Sequence, residues 1–436
     1  MAYFKKKHLS GVHVVHHKET AELESVVMPT PARVVLPLIQ HMGSPCDALV
    51  KKGDTVKVGQ RIADTDKFLS VPIHASVSGT VSGVEDFVAS NGTKTKAIVI
   101  DADGEQTVDE SIKPPVIGSR EDFLHAVRAS GLTGLGGAGF PTFIKLSPKN
   151  PDEVDTLVIN SAECEPYITS DYRECMENSG DVLDGIRAVQ KYLGIHKVII
   201  AIENNKPKAI ELFKKQTNDD SEITVHTLSS KYPQGAEKVI IYETTGRVVP
   251  EGKLPADVGV IVMNVSTISF IGKYLKTGMP LITKKITVAG SAIKDPKNII
   301  AAIGTPIKDL VEFCGGYNGE CAKILMGGPM MGIAVTDDDQ PLIKNNNAIL
   351  ALDKAHTDPP KTTACIRCGR CVRACPFSLM PAAIERAFDM QDVESLQKLK
   401  VMNCMECGCC SFSCPAKRDL VGVNRLSKKM VRAAKR

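Results

Sequence analysis

The chain has 436 residues, 43% of them hydrophobic and 24% charged, an ordinary balance for a protein that buries real cores, and its length suggests three or four domains. A net charge of only +4, with no basic stretch interleaved by aromatics, argues against a nucleic-acid partner. The opening MAYFKKKHLSGVHVVHHKE lacks the apolar run of a secretory signal, and no uninterrupted apolar stretch is long enough to span a bilayer. The nearest candidate, 258–272, is broken by Asn264, Ser266, Thr267 and Ser269 and reads as a buried strand and its turn. The expectation is a soluble or peripheral protein.

Residues 30–102 are rich in Val, Ile and Thr, with glycines at 43, 53, 59, 79, 83 and 92 punctuating short strands. That pattern predicts a small β-barrel or sandwich. VKKGDTVKVGQRIADTDKF, followed by VPIHASVSGTV, resembles the biotinyl/lipoyl-like hammerhead domain, a barrel-sandwich hybrid. Lys67 sits where such domains carry a lipoyl lysine, but the reading adopted is a fold reused without its prosthetic group. A polar segment, 103–120, with Pro114-Pro115, reads as a linker.

From 121 to about 270 the pattern alternates. Strands are predicted at 156–162, 197–203, 223–228 and 258–265, and helices at 181–194, 206–216 and 235–246. This describes an α/β domain with a mostly parallel sheet. Residues 281–335 return to short strands around the helix DLVEFCGG and end in MGGPMMG, a β-grasp-like unit. Cysteine motifs joined by helices follow from 361. The expected units are 1–112, 113–280, 281–345 and 346–436.

Nine of the 14 cysteines fall between Cys365 and Cys414. A disulfide scaffold would be short and secreted, so metal ligation in a reducing compartment is the better reading. Cys365, Cys368, Cys371 and Cys375, then Cys404, Cys407, Cys410 and Cys414, each form C-x2-C-x2-C-x3-C-P, the spacing that holds [4Fe–4S] clusters. Three cysteines wrap a loop around a cubane, and the fourth is expected to start a helix and cross to the other cluster. The first cluster therefore takes Cys365, Cys368, Cys371 and Cys414, and the second Cys404, Cys407, Cys410 and Cys375. Cys409 is a spare, packed thiol. Zinc also uses C-x2-C pairs, but two tandem proline-terminated copies favour clusters.

The remaining strong motif is GLTGLGGAGFPTFIK, 131–145, a glycine-rich loop before an expected helix, where backbone N–H groups can approach a phosphate or a flat ring. It is not the strand-following G-x-G-x-x-G of a dinucleotide fold. With NSAECEP (160–166), YPQGAE (232–237) and MNVST (263–267), it resembles the FMN and NADH segments of the NADH-oxidising subunit of respiratory complex I. MGGPMMG resembles the end of that subunit's β-grasp (SLBB) domain. The order hammerhead, flavin domain, SLBB domain, two-cluster ferredoxin-like domain resembles the RnfC family of the Rnf ion-translocating oxidoreductases over essentially the whole chain.

The resemblance implies that Gly134, Gly136, Gly137 and Gly139 line a non-covalent FMN, that Lys145 neighbours its ring, and that Asn160, Asn264 and Thr267 help hold it. Glu163, Glu165, Tyr232 and Glu237 would meet the flavin or NAD(H), with Glu163, Glu165 and Lys145 as catalytic candidates. Ala162 and Phe143 depart from the complex I pattern, which bears on the nucleotide contacts more than on the flavin. A related Na⁺-pumping quinone reductase subunit lacks the cluster cysteines present here. The family function implied is electron exchange between NAD(H) and ferredoxin, coupled to Na⁺ or H⁺ translocation, at the cytoplasmic face of the membrane beside other Rnf subunits. The rival readings are a soluble relative feeding an anaerobic reductase, such as proline reductase, and a binding module without flavin. The tail KRDLVGVNRLSKKMVRAAKR, with eight basic residues and one acid, fits anionic lipid, a partner or solvent equally.

Overall fold

A computed structural model of the chain describes residues 9–90 and 92–434. The opening residues 1–8 and the last two residues of the basic tail lie outside it.

The first unit is built from two antiparallel sheets. One pairs Arg33–Pro37, Lys94–Ala102, Gly79–Val88 and Thr55–Val56, the other Asp47–Ala48, Arg61–Asp64 and Ile73–His74. Val34, Leu36, Ile62, Ile73, Val81, Ile98 and Ile100 fill the space between them, as inward-facing alternate residues must. Lys67 is exposed on the connection between two strands of the smaller sheet.

The second unit is a four-stranded parallel sheet in the order Ile223–Leu228, Lys197–Glu203, Thr156–Ser161, Val260–Asn264. Its strands are near-continuous apolar runs because helices cover both faces. The segment 258–272 is not a strand and turn. It is the strand Val260–Asn264 followed at once by the helix Val265–Thr277, capped by the Asn264 side chain, which accepts from the amides of Ser266 and Thr267. The apolar character comes from packing. Gly185 of the helix Ser179–Leu193 and Gly272 meet the opposing backbone, where an added Cβ would stand 1.9 Å from the Ile268 carbonyl oxygen and 2.1 Å from that of Asp181.

The third unit is a six-stranded sheet in the order Val26–Val27, Lys297–Ala302, Thr283–Ala289, Ala348–Leu352, Lys323–Met326, Ile333–Val335. It differs from the expected unit in two ways. Val26–Val27, far upstream, adds a parallel edge strand, and Ala348–Leu352 lies inside the sheet, so this sheet runs beyond residue 345.

The last unit packs Pro381–Asp389, Val393–Lys398 and Leu420–Ala433 around Leu379, Ile384, Leu396, Val401 and Val431. The fourth cysteine of each motif does not start a helix. Cys375 follows the short helix Arg370–Ala374, and Cys414 closes the turn after Cys409–Phe412. The reason lies in the flanking residues. Gly369 (φ 72°) and Gly408 (φ 78°) supply the left-handed residue that opens each turn, and Pro376 and Pro415 disfavour helical backbone at the cysteine before them. Among the described residues no helix is long and apolar enough to cross a membrane.

Candidate redox site

The sheet order of the second unit places two adjacent strands with their following connections diverging, at Thr156–Ser161 and Val260–Asn264. Such a switch point opens a crevice at the carboxyl ends of parallel strands. Asn160 and Asn264 are register partners there. The glycine-rich loop lies across this end. Its Leu135 amide donates to Thr267 Oγ1 at 2.9 Å, and Gly136 sits so close to Asn264 that a Cβ would stand 2.4 Å from Nδ2. Gly136, Gly137 and Ala138 are exposed, and an added Cβ at Gly137 meets nothing within 4 Å. Gly134 lies deeper and Gly139 takes φ 68°. The helix after the loop, Thr142–Lys145, is a single turn. An open stretch of backbone over a switch point fits a flat, phosphate-bearing group.

The loop is held from outside its own unit. The Met42 amide donates to the Gly139 carbonyl at 2.8 Å, and Asn345 Nδ2 donates to the Gly137 carbonyl at 3.0 Å. Lys344, fully buried, donates from Nζ to the carbonyls of Pro72 and Gly131, both at 2.7 Å. Asp171 braces the other side, accepting from Asn264 Nδ2 and Ser266 Oγ, both at 2.6 Å. None of Met42, Asp171, Lys344 and Asn345 stands out in sequence, because each acts through contacts remote along the chain.

The acidic candidates divide. Glu163 (φ 50°) accepts from the amides of Asp171 at 2.6 Å and Tyr172 at 3.3 Å, so its carboxylate caps the helix Ser170–Glu177 and is not free for chemistry. Burial raises its pKa, against the opposing pull of Lys18. Lys18, half-buried, donates to the carbonyls of Glu163 and Glu165, both at 2.9 Å, and to that of Ile168. Asn160 is committed to the Gly235 carbonyl and the Ala162 amide, at 2.8 and 3.2 Å. Lys145 bonds Glu237 at 2.6 Å and the Val262 carbonyl at 3.1 Å, tying two expected site residues to each other.

Glu165 and Tyr232 sit elsewhere, at the junction with the cysteine unit. Glu165 Oε2 accepts from the Met330 amide at 3.0 Å, whereas Oε1 and the Tyr232 hydroxyl are buried without a partner among the described residues. Tyr232 packs with Cys164, Met330, Ala374, Cys407 and Cys409. The Cys409 thiol donates to the Tyr232 carbonyl at 3.6 Å, which makes the spare cysteine part of this joint. Burial raises the Tyr232 phenol far above its usual range.

The cysteine unit is a geometric repeat. An offset of 39 residues carries Cys365, Cys368, Cys371 and Cys375 onto Cys404, Cys407, Cys410 and Cys414. The same offset carries three left-handed positions, Arg367, Gly369 and Ser378, onto Glu406, Gly408 and Lys417. Cys375, Cys404, Cys407 and Cys410 line one pocket with Phe377, Leu379, Val421 and Asn424. N–H groups are aimed at its thiols: Leu379 at Cys375, Glu406 and Asn424 Nδ2 at Cys404, each at 3.4 Å. Cys414 packs with Cys371, and the stretch of chain before Cys365 is held beside it, Thr363 donating to the Ala416 carbonyl at 3.0 Å. Among the described residues no three His, Cys, Asp or Glu side chains converge on a single-ion point. Thiols gathered around one pocket and met by amides suit a cubane held at its corners.

Four family models match the chain in sequence order: an RnfC barrel sandwich hybrid domain over 6–105, a Nuo51 FMN-binding domain over 127–273, an SLBB domain over 285–334 and a 4Fe-4S dicluster domain over 360–415. The chain is 43% identical over 436 residues to the C subunit of the proton-translocating ferredoxin:NAD(+) oxidoreductase complex of Clostridium ljungdahlii, covering 98% of this chain and 95% of that protein. It is 42% identical to the C subunit of the Na(+)-translocating complex of Acetobacterium woodii, covering 98% and 97%. A chain of an NAD+-reducing [NiFe]-hydrogenase in the air-oxidized state shares the fold at a TM-score of 0.52 and 16% identity, over 72% of this chain and 63% of that one.

Proposed function

Since this chain belongs to the RnfC family of the ion-translocating ferredoxin:NAD(+) oxidoreductase complexes, we infer that it is the component through which such a complex exchanges electrons with NAD(H). FMN, when bound, converts a two-electron hydride exchange into the single-electron steps that a pair of [4Fe–4S] clusters can carry.

The chain's own residues supply position. The backbone of Gly134, Gly136, Gly137 and Gly139 faces the crevice that would take FMN, with Asn264 and Thr267 fixing the loop and Asn160 the facing strand end. Lys145 and Glu237, paired and half exposed, border the open side toward the nicotinamide nucleotide. Glu163 keeps the crevice in shape as a cap. Glu165 and Tyr232 close the seam between the flavin unit and the Cys404-centred cavity and keep water out of it. The set Cys404, Cys407, Cys410 and Cys375 would hold the cluster nearer the flavin, and Cys365, Cys368, Cys371 and Cys414 the outer one. Without a membrane-crossing helix among its described residues, the chain would sit peripherally at the cytoplasmic face, bound to other subunits.

The observation that carries this reading is the Tyr232 joint. It brings the YPQGAE loop of the flavin unit into direct packing with two cysteines of the second motif. The test is anaerobic purification with assay of iron, sulfide and released FMN. About eight irons and one FMN per chain are expected, with both clusters reducible by NADH. Four irons, bound zinc or a flavin-free, cluster-replete protein would refute it.

A further inference from the structure

The two cysteine loops share a backbone pattern and differ in charge. The offset of 39 residues that aligns their cysteines sets Arg367 against Glu406, Arg370 against Cys409 and Arg373 against Phe412. Three cations on the first loop thus stand where the second carries an acid, a thiol and a ring. Arg367, Arg370 and Arg373 are exposed, and among the described residues none has a carboxylate at ion-pair distance. Arg373 folds back over its own turn, its Nη2 donating to the Cys368 carbonyl at 3.2 Å. The charge of Glu406 is instead covered by the last helix, where Arg425 Nε lies 3.2 Å from its carboxylate and Lys428 contacts it too.

The thiols follow the same asymmetry. Cys365 and Cys368 are exposed, whereas Cys407 and Cys410 are buried in a pocket walled by Phe377, Leu379 and Val421. A cubane held by four thiolates becomes more negative when it takes an electron, so nearby cations and water favour its reduced form and an apolar wall opposes it. Around the first loop, cations and water act in one direction. Around the second the influences oppose each other. The N–H groups of Leu379, Glu406 and Asn424, with the single positive charge that Arg425 and Lys428 leave after matching Glu406, favour reduction, and burial works against it.

We propose that Arg367, Arg370 and Arg373 hold the outer cluster, that of Cys365, Cys368, Cys371 and Cys414, at a higher reduction potential than the inner one, which makes the outer site the resting place of the first electron. The proposal rests on the reading above that both cysteine sets hold clusters. The three arginines touch no substrate; they are positioning residues that act through the thiolate set they surround. NADH yields NAD⁺, one proton to solvent and two electrons. The first electron settles on the outer cluster and the second on the inner one, so each is reduced once and no bond forms. An outer site that fills first leaves the inner one oxidised and ready for the next electron.

The experiment is a redox titration of the anaerobic holoprotein followed by EPR at low and high salt. Two separate midpoints are expected. Arg367→Glu/Arg370→Glu is expected to move the higher one at least about 60 mV more negative, a tenfold change in the electron's share between the sites, and to leave the lower in place. Arg367→Lys/Arg370→Lys keeps the charge and is expected to keep the wild-type midpoint. The shift in the Glu pair should shrink as salt rises from about 0.02 M to 0.5 M, because exposed charges are screened. Asn424→Leu acts on the other thiolate set and marks the lower midpoint by moving it alone. Movement of the lower midpoint or of neither by charge reversal overturns the proposal, as does an equal shift in the Lys pair or indifference to salt. Should the Glu pair lose iron, Arg367→Gln/Arg370→Gln takes its place and must move the same midpoint in the same direction. Wild-type protein with about four irons per chain refutes the two-cluster reading, whereas about eight irons with the midpoints in the opposite order refutes this proposal alone.

Discussion

Glu165 shows how one carboxyl group registers its surroundings. Burial raises its pKa from 4.5 to about 7. Between those values the folded protein holds a proton that the unfolded chain has released. Its stabilising effect is therefore complete below pH 4.5 and is lost as pH rises through 7. Glu165→Gln keeps an oxygen for the Met330 amide and abolishes the titration. Between about pH 5 and pH 8 the wild type should lose up to about 3 kcal/mol relative to this variant. Scanning calorimetry of both proteins decides, and parallel pH profiles would reject the assignment. Asn424 poses a different test. Its amide points at Cys404 from a buried position, and N–H···S bonds favour the more negative, reduced cluster. Asn424→Leu should move one of the two midpoint potentials to a more negative value in an EPR titration and leave the other in place. At Gly136, Ala would drive a methyl group into Asn264. FMN binding about tenfold weaker or worse is expected, read by fluorescence of the released flavin. The cysteine spacing pointed to clusters and the family resemblance pointed to the four glycines, and the structure sets four of the cysteines around one pocket and the glycine loop over the switch point. The part played by Glu163 was not legible: only the fold shows that the Asp171 and Tyr172 amides occupy it.

At the scale of elements, the parallel strands follow from their apolar runs, and the cysteine turns from their glycine and proline punctuation. The helix Val265–Thr277 is hidden in the sequence because its polar residues look like interruptions of a strand, although Asn264 is its cap and Ser269 bonds the buried Glu174. The segment 163–168 owes its shape to Lys18, a residue with no local signal at all. Lys18→Met removes the ammonium from three carbonyls and from the neighbourhood of Glu163 and Glu203. A loss of about 3–5 kcal/mol is expected, as for a buried charge deprived of its counterpart. A melting temperature within a degree or two of wild type would show that the strap is not needed to hold this loop.

For the whole molecule, composition and motif order revealed the units but not their joints, since a joint connects residues distant in sequence. Lys344 illustrates this: its ammonium links Pro72 of the barrel unit to Gly131 at the root of the glycine loop. Lys344→Met should cost about 2–4 kcal/mol through two buried charge-assisted bonds lost, and should weaken FMN retention without changing iron content. Unchanged flavin affinity would mean that the loop keeps its form without the barrel.

The long-range hydrogen bonds of the segment 9–28 go to places translated much later. The His16 carbonyl accepts from the Tyr167 amide, Val12 pairs with Tyr232, and Val26–Val27 pair with Ile299–Ile300. On the ribosome, the barrel strands that follow can close while this piece still lacks a seat. It is made early and locked late, so during synthesis it is open to proteases or chaperones until the SLBB strands emerge.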